Sequence, residues 1–214
     1  MQVWKKLLTL GLLSFSALTQ GSTILTFTDR TDFLNATATT AIDIPSFGGG
    51  TVTIGSVVFS GGPSATLLFS NGFSSLLGNE LVFSGNENFN VDIASGIFSF
   101  GFDTHEPTKG GPVDGCNTGR CVDSTFEFSI FGNAGIIDSF TFLPADDLLS
   151  FAGITSDILF TRVQIREIVG SIDNEFFGNF VQGSSPLNTT PLPASIWLFG
   201  LGLFGLSYFR KEVG

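Results

Sequence analysis

The chain has 214 residues, with 19 acidic against 9 basic side chains, a single His and a formal net charge of −10 at pH 7. So acidic a chain argues against nucleic acid, anionic lipid and polyanionic glycan as partners, and leaves cations and neutral polymers open. Once short terminal signals are set aside, its length suits one domain with one hydrophobic core.

Residues 1–21 read as a secretory signal peptide. Lys5 and Lys6 form a positive n-region, Leu7 to Leu18 an apolar h-region, and Ala17, Thr19 and Gly21 supply small residues near a cleavage point. The apolar core is too short for a membrane span. Residues 22–183 form the expected ectodomain. It holds five basic residues (Arg30, Lys109, Arg120, Arg162 and Arg166) against eighteen acids, a net charge of −13.

Its pattern is that of strands. Thr23–Phe27 opens the series, and Asp29–Ala36 is the one helical turn expected, with Thr28 as N-cap and Phe33 and Leu34 turned inward. Short strands are predicted at Thr51–Ile54, Val57–Ser60, Thr66–Phe69, Leu81–Ser84 and Phe89–Ile93. Period-2 alternation then places Phe98, Phe100 and Phe102 on one face, followed by Phe126, Phe128 and Ile130, by Phe140 and Phe142, by Val163 and Ile165, and by Phe176–Val181. About ten short strands without intervening helices, separated by Gly, Asn, Pro and Ser clusters, predict an all-β, two-sheet antiparallel sandwich of jelly-roll-like kind.

Several residues within this domain carry chemistry. Cys116 and Cys121 lie in an irregular insertion from His105 to Val122, and in an exported chain their spacing predicts a disulfide closing a small loop. His105, between Asp103 and Glu106, reads as a turn residue at a strand end. Asp146 with Asp147, Asp173 with Glu175, and Glu80 with Glu87 offer acid and base for a glycan hydrolase, or ligands for Ca2+, and otherwise solvate loops. No nucleophile elbow, zinc helix or phosphate loop is present in the sequence. Both Trp and the one Tyr (Trp4, Trp197, Tyr208) fall in the terminal segments, while nearly all of the 25 Phe lie in the ectodomain. Phe lacks the polar edge that suits a wet sugar platform, so the set reads as core, and no catalytic residue or cofactor is assigned.

Residues 184–190 form a Ser-, Thr- and Pro-containing linker without charge. Residues 191–214 are tripartite: Pro191-Leu192-Pro193-Ala194, an uncharged run to Phe209, and Arg210-Lys211 as a cytoplasmic stop. From Ala194 to Phe209 a helix reaches only about 24 Å, short of a roughly 30 Å hydrocarbon core, and Gly200, Gly202 and Gly205 weaken it. Such a segment halts a translocating chain but makes a poor permanent anchor.

This tail resembles the VPLPA variant of the PEP-CTERM sorting signal, with Thr190 where Val is usual. The resemblance implies recognition by exosortase, a membrane protease of Gram-negative bacteria that make exopolysaccharide. It further implies export by the secretion translocon, a transient single membrane helix, cleavage near Pro191–Ala194, and a final place at the cell surface or in the extracellular matrix. The sequence reading is therefore a non-enzymatic surface protein, structural or adhesive in a biofilm, with a Ca2+-assisted carbohydrate-binding module and a glycan-active hydrolase as the alternatives.

Overall fold

Two long strands run through the whole domain and give it its shape. In the computed structural model, which describes residues 22–71, 77–106, 124–145, 148–170 and 175–186, these are β7 (Phe89–His105) and β10 (Leu149–Val169). They pair antiparallel along their length, from Leu149 opposite His105 to Ile165 opposite Phe89. Midway the ladder slips between Thr155 and Arg162 of β10, where Gly96 of β7 sits at a φ of +66°. A Cβ on Gly96 would lie 2.2 Å from Leu159, so both backbone conformation and close approach require Gly at this bend.

Each half of the β7–β10 pair is the centre of its own sheet. The first sheet joins the Ser99–His105 half of β7 to β11 (Phe176–Gly183), then to β6 (Asn79–Gly85) and β5 (Ala65–Asn71). On its other side β10 pairs with β1 (Ile24–Phe27). The two-residue β2 (Thr40–Ala41) also pairs with β11. The second sheet joins the Phe89–Ile93 half of β7 to β4 (Val57–Gly61) and β3 (Val52–Ile54). On its other side β10 pairs with β8 (Thr125–Gly132), followed by β9 (Gly135–Phe142). All of these pairings are antiparallel, as the sequence predicts.

The sheets face one another through Phe. Phe59 of β4 meets Phe180 of β11 at 4.9 Å between ring centroids, Phe89 meets Phe177 at 5.0 Å, and Phe126 meets Phe177 at 5.6 Å. Phe102 lies between Phe128 and Phe142 of the second sheet and Phe177 and Phe180 of the first, at 5.6 to 5.9 Å from each. Edge-to-face and offset pairs of this kind add to the stabilisation by area burial alone. Phe126, Phe128 and Ile130 are fully buried, as their alternation predicts.

A smaller apolar layer covers the outside of the first sheet. There α1 (Arg30–Ala36) packs Phe33 against Phe27 and Phe151, each at 5.3 Å. Gly101 and Gly153 stand opposite one another beneath it, and a Cβ on either would come within 2.7 Å of the Phe151 ring. Both faces of β7 are buried along this half for that reason.

Four expectations need correction. The α1 N-cap is Asp29, whose side chain accepts from the Asp32 N–H at 2.9 Å, rather than Thr28. Leu34 is 42% exposed, because only the Phe33 side of this short helix meets the sheet. Phe89–Ile93 and Phe98–Phe102 belong to one strand rather than two. Phe98 is half-buried instead of sharing the core with Phe100 and Phe102, and its neighbour Ile97 is the core residue just after the bend at Gly96. The leader, the Cys116–Cys121 pair, Asp146, Asp147, Asp173 and the tail from Pro191 lie outside the described residues. Among the described residues no helix is long and apolar enough to cross a membrane.

Candidate functional site

The carboxylates gather at one end of the sandwich, where the bend in β7 and β10 returns strand ends from both sheets to the same place. Glu87 lies just before β7, Glu106 just after it, Glu167 near the end of β10 and Glu175 just before β11. The Glu175 N–H donates to Glu87 Oε1 at 2.9 Å, the Glu87 N–H to Glu167 Oε2 at 3.1 Å, and the Ser124 N–H to Glu106 Oε1 at 2.9 Å. Asn88 Oδ1 in turn accepts from the Glu167 N–H at 2.9 Å. Glu87, Glu106 and Glu167 thus take up backbone donors left over where strands end, which a buried end must satisfy.

Glu175 itself is fully buried, and neither of its carboxylate oxygens has a hydrogen-bond partner among the described residues. Burial pushes its carboxyl up to about 8, so at neutral pH it is a neutral acid. A proton donor beside Glu87 is the arrangement an acid–base mechanism uses, but neither of the two described cavities is lined by Glu175 or Glu87. The structure thus joins Glu175 to Glu87, which the sequence pairs differently, with Asp173 and with Glu80. Glu80 is also fully buried, on β6. Among the described residues no group of three or more His, Cys, Asp or Glu side chains is placed to hold a metal ion. His105 closes β7 with its ring stacked 6.3 Å from Phe176.

A second polar cluster lies on the outside of the first sheet. Arg30, the first residue of α1, places Nη1 3.1 Å from Asp103 Oδ2 and donates to the Asn179 carbonyl at 2.9 Å, with its guanidinium 5.6 Å from the centre of the Phe151 ring. Asn179 Nδ2 donates to the same Asp103 oxygen at 2.8 Å. This is achieved at a bulge: β11 slips against β7 between Gly178 and Val181, and Asn179 takes a φ of +50°. Burial raises the Asp103 carboxyl, opposed by the Asn179 bond and by the charge of Arg30. The cluster borders an open cavity of about 400 Å³, whose lining includes Arg30, Asp43, Ile44, Leu77, Asn79 and Asn179. Asn79 Nδ2 donates to the Ile44 carbonyl at 2.8 Å and fixes one wall. Nothing in the sequence marks Asn179 or Asp43. Their meeting depends on a bulge and on the path of the chain after β2. A second cavity, of about 390 Å³, lies between Phe142 and Phe151 and is bordered by the exposed Leu143 and Leu149.

Replacing Arg30 with Ala leaves the Asp103 carboxylate buried without its cation, and is expected to cost about 2–3 kcal/mol near pH 8, below the range for a fully buried pair because Arg30 is partly exposed. The loss shrinks as pH falls and Asp103 takes up a proton. Urea denaturation of Arg30→Ala, of Asp103→Asn and of the double variant measures this, and the double variant is expected to be more stable than Arg30→Ala alone.

Comparison with known proteins places the tail. Residues 189–211 match the PEP-CTERM protein-sorting motif, a stretch that takes in Pro191, Leu192, Pro193 and Ala194, the apolar run, and Arg210 and Lys211. The chain therefore carries a signal for export and for sorting at a membrane, of the kind exosortases recognise. Among curated proteins none matches the chain. Several solved structures of carbohydrate-binding modules of family 29 are similar to it. One is a mutant made to probe ligand recognition, at 16% identity, covering 73% of this chain and 99% of that one, with a TM-score of 0.44. Others are a mutant complexed with mannohexaose, at 16% identity over 73% and 98% with a TM-score of 0.44, and one complexed with cellulohexaose, at 16% over 70% and 92%, also at 0.44. At this TM-score nothing is carried over from them, and the sandwich is read from this chain's own strand pairing.

Proposed function

We propose that this chain is a non-catalytic β-sandwich, released from or fixed to the surface of a Gram-negative cell after exosortase cleavage, with a structural or adhesive role in an exopolysaccharide matrix. The observation that carries the reading is the sorting motif at 189–211, which follows β11 after a short uncharged linker. On this reading residues 1–21 are removed on export, residues 22–183 are the mature domain, and Cys116 and Cys121 are oxidised together once outside. Glu87, Glu106 and Glu167 support a structural role, because each accepts a backbone N–H group near a strand end. The strongly negative domain stays soluble and resists self-association.

Intact mass of the protein from extracellular and outer-membrane fractions of its host, with and without the exosortase, tests this. Loss of the residues from about Pro193 onward only when the protease is present is the expected result. Retention of 194–214 in both strains means a plain anchor and overturns the reading.

A further inference from the structure

We propose that the cavity beside Arg30 is a binding site for a neutral polyhydroxylated ligand, of the kind a sugar residue presents. It deepens the adhesive reading above, on which it rests for the chain's meeting with extracellular polymer. Three features of the site point to it.

The first is a held guanidinium with donors to spare. The ion pair to Asp103 and the bond to the Asn179 carbonyl both use Arg30 Nη1. Neither interaction uses Nη2 or Nε, and the side chain, fixed by its partners and by the Phe151 ring, is part of the cavity lining.

The second is local strain aimed at the same place. Asn179 adopts the left-handed region outside Gly, and by doing so turns its carbonyl to Arg30 and its amide to Asp103. Strain of this sort is kept only where surrounding contacts enforce it, and here its effect is to lock the donor.

The third is the charge balance of the lining. Asp103 neutralises Arg30, and Asp43 adds an exposed carboxylate, so an anion meets no net attraction in a domain already at −13. A wholly apolar ligand would strip water from Arg30, Asp43 and Asn79 without replacing it. A neutral polyol suits all of them: its hydroxyl oxygens can accept from Arg30, and its O–H groups can donate to Asp43 and to Asn79 Oδ1. A volume of about 400 Å³ lies in the range of small-ligand sites.

Affinity electrophoresis of the full chain in detergent micelles, through gels containing a neutral β-glucan, α-mannan or galactan and through a polyuronate gel, tests the proposal. Two variants accompany it, Asp43→Ala, which removes an acceptor, and Ala41→Trp, which fills the cavity from an exposed strand position. Their melting temperatures report whether the fold is intact. Retardation by at least one neutral polymer is expected, with apparent affinity lowered about tenfold or more by either variant. Absence of retardation in every neutral gel overturns the proposal, as does retardation by the polyuronate alone or retardation that both variants leave unchanged. The assay reads binding whatever the fate of the C-terminal tail, so its failure and failure of the sorting reading are separately visible.

Discussion

Glu175→Gln is expected to raise the stability of the sandwich at alkaline pH and to flatten its dependence on pH. In the folded chain the carboxyl titrates at about 8 because burial disfavours its charged form, against 4.5 in the absence of the fold. Between these values the folded state holds a proton that the unfolded state has released, so stability falls as pH rises. The contribution is fully present below about pH 4.5 and fully lost above about pH 8, and across that window it approaches roughly 4–5 kcal/mol. Gln keeps the shape and removes the charge. Urea midpoints of the two proteins at pH 5 and pH 9 measure the effect: the gap should be small at the lower pH and large at the higher. A native protein whose midpoint rises between those values would contradict the assignment of Glu175 as a neutral buried acid.

Phe102→Ala is expected to destabilise the domain by about 3–5 kcal/mol, the range for truncating a fully buried Phe in a core that does not collapse around the gap. The ring touches Phe128 and Phe142 on one sheet and Phe177 and Phe180 on the other, so its loss opens the interface at its centre. Phe102→Leu, which keeps most of the apolar volume, should lose well under half as much. Chemical denaturation of the two variants with an unchanged slope would show that stability alone has moved. Equal losses for both would mean that the aromatic contacts, and not the filled volume, dominate.

Much of this architecture is legible in the sequence wherever a strand buries one face only. Phe126, Phe128 and Ile130 alternate with polar neighbours, and they are core. Where both faces are covered the pattern loses its meaning. Along Ser99–Thr104 the outer positions are Ser99, Gly101 and Asp103, which read as solvent-facing and are buried, Ser99 beside Gly183, Gly101 under the Phe151 ring and Asp103 paired with Arg30. The union of Phe89–Ile93 with Phe98–Phe102 was equally hard to see, since Ala94, Ser95 and Gly96 look like a turn. One trace of it exists in the residue order: core positions are odd at Phe89, Val91, Ile93 and Ile97 and even at Phe100 and Phe102, a change of parity that a bulge within one strand produces. The candidate site was less accessible. Arg30, Asp43, Asp103 and Asn179 are far apart in sequence, and only the pairing of β11 with β7 and β2 draws them together. The acids illustrate the opposite error, in which closeness in sequence suggested Glu80 with Glu87 while folding set Glu87 against Glu175.

The passage of β7 and β10 through both sheets also governs how the domain fails. In a sandwich assembled from separate strands, one layer can peel away while the other survives as a remnant open to proteases. Here the same two backbones are the spine of each layer, so fraying of one layer withdraws the support of the other. Amide exchange in the central segments of both halves should then report a single opening event of common free energy, shared by Phe102 and Val163 alike. Such all-or-none opening is itself a form of protection against proteolysis: the chain presents no half-unfolded intermediate to cut.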